Sequence, residues 1–367
     1  MKILEEISDY RAEIKTDTYT TTWREILGQF KDGELRIDPD YQRLFRWDIG
    51  RQTQFIESLL LSIPSPPIFV YQDEDGIFEV IDGLQRVSTL IKFFSDEIFD
   101  GSEKVYLDNG FSENIKVSNE NDISVPSVLC SAPLIKSLEG YSYKTLPETL
   151  IRTIKYSRVT VMMLEIDTPP RVRYEVFKRL NRQGAILSDQ EIRNCTARIF
   201  GKKFADELRS IADYLPLINS LDFSEEDVMK MKVEETILRF LAFNFFNKDY
   251  SGSVKEYLDD FMVYASEGKF VLTEDVKSKI FSTAELINTT FPDGNAFRNV
   301  KGGFSSNLFD VFFSAVYHSI ENVNSDLIYR KRMELLQSND YANVSGTGTN
   351  AKKKVEGRID LAKKLFL

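Results

Sequence analysis

An apolar run from Ile77 to Ile81 halts at Asp82-Gly83, and apolar residues at helical spacing follow at once: Val87, Leu90, Ile91 and Phe94. The pattern predicts a strand that feeds a helix through a small-residue turn. Such a turn leaves the first backbone N–H groups of the helix pointing outward, where the helix dipole adds positive potential. Asp82, Gly83, Gln85 and Arg86 occupy the turn. A carboxylate, an amide and a guanidinium therefore share one anion-favouring corner. The same residues have a plainer use. Asp82 with Gln85 three positions later fits a capping box, and Arg86 fits a surface charge. The residues alone leave both readings open. Upstream, Ile68–Tyr71 and Ile77–Ile81 flank the acidic, Gly-ended turn Asp73-Glu74-Asp75-Gly76, which predicts a hairpin. The corner then stands at the end of a sheet strand.

Taken from the amino end, residues 1–33 read as a helical or irregular lead-in with Trp23 and Phe30 as packing anchors, and Leu35–Ile37 as a short strand. After the turn Asp38-Pro39-Asp40, the run Tyr41-Gln42-Arg43-Leu44-Phe45-Arg46-Trp47 interleaves basic and aromatic residues. It suits either a nucleotide surface or a loop that buries Phe45 and Trp47. A helix is predicted from Gln52 to Leu61, ended by Pro64, Pro66 and Pro67. Residues 101–135 read as a polar loop with one strand at Lys104–Leu107, and Leu138–Leu150 as partly helical. Val159–Ile166 is a strand, and Arg171–Leu180 a helix opened by Pro169-Pro170. Gly184 suits its C-terminal stop. Ser188 and Glu191 then form a capping-box pattern, so a ligand role for Glu191 competes with a structural one.

From Thr196 onward strand signals vanish, and helical periodicity recurs at 201–217, 225–247, 253–267, 273–289, 305–322 and 324–337. The expected fold is α+β: a small mixed-sheet domain over residues 1–195, then an all-helical domain over 196–367. Ser345–Asn350 reads as a flexible loop. The net charge of −10 argues against a general nucleic-acid binder with a basic surface. Arg171–Lys203 runs against that sign, with nine Lys or Arg and three acids, and suits a local polyanion site. The lone histidine, His318, lies in an apolar helical stretch and is expected to be packed. One histidine excludes HExxH hydrolases and multi-histidine nucleases within this chain, and no GxxxxGK[ST] phosphate loop occurs. Two distant cysteines suggest neither a disulfide framework nor a zinc site. A charged amino end and no apolar run of membrane-spanning length lead to the expectation of a cytoplasmic protein that does not enter a membrane.

Three stretches occur in a characteristic order: Tyr41-Gln42-Arg43 with Trp47; Ile81-Asp82-Gly83-Leu84-Gln85-Arg86 before a helix; and Phe177, Leu180-Asn181, Gly184 with Leu187-Ser188 and Glu191-Ile192-Arg193. Together they resemble the D-G-Q-Q-R domain family of the ParB/sulfiredoxin superfamily. That family forms the amino-terminal half of GmrSD-type restriction enzymes and of related phage-defence proteins. The resemblance implies a ParB/sulfiredoxin-like fold that responds to a nucleoside triphosphate, of unknown base, together with Mg²⁺. It makes Asp82, Gln85 and Arg86 candidates for catalysis. Tyr41, Gln42, Arg43, Gly83, Gln85, Arg86, Asn181 and Arg193 become candidates for nucleotide binding, and Asp82, Asn181 and Glu191 candidates for holding the metal. Leu84 stands where the signature most often has Gln, which sets hydrolysis apart from binding. The His-dependent nuclease half of such enzymes does not fit a chain with one histidine.

The leading expectation is therefore a nucleotide-binding and nucleotide-hydrolysing regulatory subunit of a bacterial restriction or anti-phage system, acting with a nuclease partner chain. Lys178, Arg179 and Arg182 are its candidate DNA contacts, and homo-oligomerisation is left open. The rivals are a non-enzymatic ParB-like switch that binds nucleotide and closes on DNA, and a self-sufficient Mg²⁺-dependent DNase.

Overall fold

The computed structural model describes residues 2–37, 45, 47–73, 75–99, 122–165, 168–169, 172, 175–176, 179, 188–299, 302–346 and 348–367. The chain divides into two compact units, Met1–Ile186 and Leu187–Leu367. The first is α+β and the second helical, as the sequence predicts.

The first unit runs α1 (Lys2–Glu13), β1 (Thr16–Thr22), α2 (Trp23–Lys31), β2 (Leu35–Arg36), α3 (Ile49–Leu60), β3 (Ile68–Gln72), β4 (Phe78–Asp82), α4 (Leu84–Phe93), α5 (Ser95–Ile98), α6 (Glu148–Tyr156) and β5 (Arg158–Leu164). Its five strands form one mixed sheet in the order β1-β5-β3-β4-β2. β3 and β4 are the predicted antiparallel hairpin, with Val70 opposite Val80 and Phe69 opposite Asp82. Asp73 closes the hairpin turn by accepting hydrogen bonds from the N–H groups of Asp75 (3.0 Å) and Ile77 (2.9 Å). β5 runs parallel to β3. The short β2 runs parallel to β4.

β1 corrects the sequence reading. The stretch Thr16-Asp17-Thr18-Tyr19-Thr20-Thr21-Thr22, part of the expected helical or irregular lead-in, is an edge strand paired along its full length with β5. Hydrophobic alternation could not reveal it, because Tyr19 is its one large apolar residue. The signal was β-branching, five threonines in seven positions. Trp23, by contrast, is fully buried, as its anchor role predicts, whereas Phe30 is half-buried against Phe99.

α4 is the central helix of this unit. Nine of its ten residues are buried, including Ser88, Thr89 and Lys92, so it is enclosed on all sides rather than amphipathic. Trp23, Ile56, Val80, Val87, Leu90, Ile91, Phe94 and Val161 make up the surrounding core, each at most 1% exposed. The predicted strand at 104–107 and most of the predicted helix at 171–180 lie outside the described residues.

The second unit contains α7 (Asp189–Phe200), α8 (Lys202–Ala212), α9 (Leu215–Leu221), α10 (Glu225–Met229), α11 (Lys232–Phe245), α12 (Val254–Ser266), α13 (Glu274–Thr290), α14 (Ser306–Ser319), α15 (Ser325–Gln337), α16 (Asn339–Ser345) and α17 (Lys352–Lys364). Two segments that read as continuous helices are broken. Pro216 opens α9 just after α8 ends, and Met231, at φ +57°, separates α10 from α11.

Buried charge ties these helices together. Arg193 of α7 donates from Nε to Asp259 Oδ1 of α12 (2.8 Å) and from Nη1 to Glu235 Oε2 of α11 (2.9 Å). One turn on, Arg239 donates to both oxygens of Asp310 of α14 (2.6 and 2.7 Å). Arg358 of α17 shares that carboxylate at 3.0 Å. It also donates to the carbonyls of Val344 and Thr349, so the loop that reads as flexible has its two ends pinned. His318 corrects a second expectation. It stands exposed rather than packed, its Nε2 2.8 Å from Asn244 Oδ1. Burial on its inner side, then Lys363 and Lys279, lower its pKa. Among the described residues no helix is long and apolar enough to cross a membrane.

Candidate functional site

The corner after β4 is built around Gly83. Its φ of +97° lies in the left-handed region, and a Cβ there would stand 2.6 Å from Ile68 Cγ2. Both constraints demand glycine. Gly83 is itself the N-cap of α4, with no side-chain cap bond. The capping-box alternative for Asp82 and Gln85 is therefore not realised, and both side chains are employed otherwise.

Arg86, 9% exposed, is not a surface charge. Its Nη1 donates to the Pro66 carbonyl and its Nη2 to the Pro67 carbonyl at 3.0 Å, with Asp82 Oδ2 3.6 Å from the same nitrogen. Desolvation lowers the Arg86 pKa and the neighbouring Asp82 raises it. The guanidinium thus bolts the start of α4 to the segment that leads into β3. Any phosphate contact would come in addition to that bolt. The Asp82 side chain remains 31% exposed, so its carboxylate can reach a ligand.

Gln85 turns the other way. Its Oε1 accepts the backbone N–H of Trp47 at 3.1 Å, and Gln52 Nε2 donates to the Trp47 carbonyl at 2.6 Å. The Trp47 ring packs edge-on against Phe55, which contacts Trp23 in the same way. Phe45, two residues earlier, is fully buried. The first and second motifs of the sequence are thus joined at Trp47. Tyr41, Gln42 and Arg43, and also Arg46, lie outside the described residues, as do Lys178, Asn181 and Arg182.

Glu191 and Arg193 belong to the helical unit, the Asp82 corner to the sheet unit. Glu191 is buried and completes the predicted capping box, its N–H donating to Ser188 Oγ at 3.2 Å and its carboxylate accepting from the Ser188 N–H. Arg193 is 2% exposed and committed to Asp259, Glu235 and Gln190. It therefore drops out of the basic surface counted from the sequence. Arg179 is exposed, 4.0 Å from Glu175 one turn before it. Among the described residues no three His, Cys, Asp or Glu side chains converge as a metal cage. Mg²⁺ does not need one. It binds through one or two carboxylates plus substrate phosphates and water, and Asp82 offers one such carboxylate beside the α4 N-terminus.

Sequence reasoning missed Gln52, Pro66 and Pro67. The prolines were read as a helix stop, whereas two of their carbonyls receive Arg86. Pro64 and Ser65 of the same segment wall a cleft of about 420 Å³ together with Leu59, Tyr156 and Arg158, and no motif residue lines it.

No curated protein and no solved structure matches the chain significantly. Residues 24–197, from α2 to within α7, match the family described as GmrSD restriction endonuclease, N-terminal domain. With the three motifs in order and the second of them folded at a strand-to-helix corner, residues 24–197 are similar to the GmrSD restriction endonuclease N-terminal domain.

Proposed function

We propose that this chain is a component of a bacterial restriction or anti-phage defence system. In this reading its sheet unit binds and hydrolyses a nucleoside triphosphate with Mg²⁺, and a partner chain supplies the nuclease. The observation that carries the reading is the Gln85–Trp47 hydrogen bond at 3.1 Å. It holds Trp47, four residues after Arg43 in the sequence, at the first turn of α4, the helix that begins beside the partly exposed carboxylate of Asp82. A guanidinium from Arg43 suits phosphoryl oxygens, the α4 N-terminus favours the same charge, and Asp82 would hold the metal against the phosphates. When bound, Mg²⁺ supplies charge neutralisation for phosphoryl transfer.

One observation favours the second reading, a switch that binds nucleotide without turning it over. Leu84 stands at the variable position of the motif and is 8% exposed, packed into the core rather than facing a ligand. Phosphate release from each of the four ribonucleoside triphosphates with Mg²⁺, with and without duplex DNA, tests the proposal. Release above the rate of the Asp82→Asn variant supports hydrolysis. Saturable binding without release favours the switch, and neither result would refute a nucleotide role. Nicking of plasmid by the lone chain would replace both with the nuclease reading.

A further inference from the structure

We propose that Gln52 is a positioning residue of the candidate nucleotide site, acting with Gln85 as a two-sided amide clamp on the backbone of Trp47. The inference rests on the reading that the Asp82 corner, with Gln85, binds a nucleotide.

The geometry comes from a helix start. Asp48 is the N-cap of α3, its Oδ1 accepting the Arg51 N–H at 2.8 Å. Trp47 therefore stands at the position before the cap and Gln52 at the fourth helical position. Those two positions usually meet through apolar side chains, which fix the angle at which a chain enters a helix. Here a buried amide takes that place, and Gln52, 1% exposed, donates to the Trp47 carbonyl at 2.6 Å. An apolar staple sets only an entry angle, whereas an amide also fixes the plane of the entering peptide. The other edge of residue 47, its N–H, is held by Gln85 from α4. The backbone at Trp47 is gripped by two helices at once, one of which begins at the Asp82 corner.

Cost supports a dedicated role. Gln52 Oε1 is buried and has no hydrogen-bond partner among the described residues. An unsatisfied buried carbonyl is unfavourable and offsets part of what the bond to Trp47 contributes, so glutamine is a costly choice for stability alone at this position. What glutamine adds is the hold on Trp47, and through it on Gln85 at the start of α4.

The two glutamines act in opposite senses, which separates the clamp from general packing. Gln85 accepts, and a glutamate there still accepts. Gln52 donates, and methionine removes the donor at similar volume. The full-length chain labelled with ¹⁵N-tryptophan gives two indole-bearing residues to follow, Trp23 and Trp47. Trp23 is the internal reference, because its N–H donates to the Ser157 carbonyl in a different part of the unit. Gln85→Met and Gln52→Met are each expected to speed Trp47 amide exchange by about tenfold, the worth of one hydrogen bond. Gln85→Glu should stay within about threefold of wild type, and the double methionine variant should be no faster than the faster single one, because the two bonds hold the peptides on either side of one Cα and losing either frees the same residue. Trp23 exchange should not change. Gln52→Met should also weaken binding of whichever triphosphate the wild type takes up by about tenfold.

Unchanged Trp47 exchange in Gln52→Met overturns the clamp. So does Gln85→Glu as fast as Gln85→Met, or multiplying losses in the double variant. If the wild type binds none of the four triphosphates, the nucleotide reading falls, and the exchange measurements still decide the clamp.

Discussion

Asp82 at the end of β4 and Arg86 in the first turn of α4 face each other, Oδ2 to Nη2 at 3.6 Å, but only Arg86 is buried. The pair is therefore asymmetric. The cation holds the fold through the Pro66 and Pro67 carbonyls, and the carboxylate is left partly available.

Arg86→Ala should consequently destabilise the chain by about 2–3 kcal/mol in urea unfolding without any nucleotide present, because charge-assisted bonds to buried carbonyls are lost. A residue that only held phosphates would leave the apo protein's unfolding midpoint in place.

Asp82→Asn should behave in the opposite way. Gly83, not Asp82, caps α4, and at 3.6 Å Asp82 adds little to the two carbonyl bonds that hold the Arg86 guanidinium. The variant is expected to melt close to wild type while Mg²⁺-dependent triphosphate binding, followed by calorimetry, is lost. Retained Mg²⁺ dependence would remove Asp82 from the site.

Gly83→Ala tests the corner itself. A positive φ together with a Cβ 2.6 Å from Ile68 Cγ2 should cost about 3 kcal/mol, combining backbone strain with overpacking. Thermal unfolding checks this, and a neutral substitution would mean that the corner can relax.

Glu97 gives a pH signature. Burial raises its pKa, but hydrogen bonds from Lys155 and Tyr143, and the charges of Lys155 and Lys31, outweigh that and hold it below the ordinary 4.5. A depressed carboxylate contributes stability that is present above its unfolded pKa and is lost as pH falls through the folded one. Wild type should lose stability relative to Glu97→Gln as pH drops below about 4.5, and the two curves should run parallel above it. On the alkaline side the same contact pushes the Tyr143 pKa up to about 12, so Tyr143→Phe should remove one late step from the ultraviolet tyrosine titration.

The basic stretch separates into two kinds of residue. Lys178→Glu with Arg182→Glu should lower duplex-DNA affinity and flatten its dependence on salt, since fewer counterions are released. Arg193→Ala should instead unfold the helical unit at lower urea, because Asp259 would be left buried without its cation. Fluorescence anisotropy at several salt concentrations reads the first effect, and an unchanged slope would leave Lys178 and Arg182 as ordinary surface.

The sequence made the corner legible because strand, turn and helix are each announced by local residue types. The α+β division was legible for the same reason. Glycine at 83 was evident as a turn residue, but its contact with Ile68 was not, since that depends on β3 lying beside β4. The roles of Arg86 and Arg193 were hidden for a related reason. A charge in a sequence reads as solvated unless its partners are known, and these partners lie 19–20 residues away for Arg86 and 42–66 away for Arg193. Ser188 and Glu191 could be paired from the sequence because a capping box spans only four residues.

α11 carries Glu235 and Arg239 one turn apart, the first bound to Arg193 and the second to Asp310, which also binds Arg358. Removing one member of a buried set leaves an uncompensated charge at roughly 3–5 kcal/mol, a large part of the 5–15 kcal/mol that holds a typical domain folded. Single substitutions at Asp310, Arg239 or Arg358 should therefore be purged, while joint replacement by apolar residues of matching volume would be tolerated. Across descendants of this chain the three positions should be inherited as a block, either all charged or all apolar, with mixed states missing.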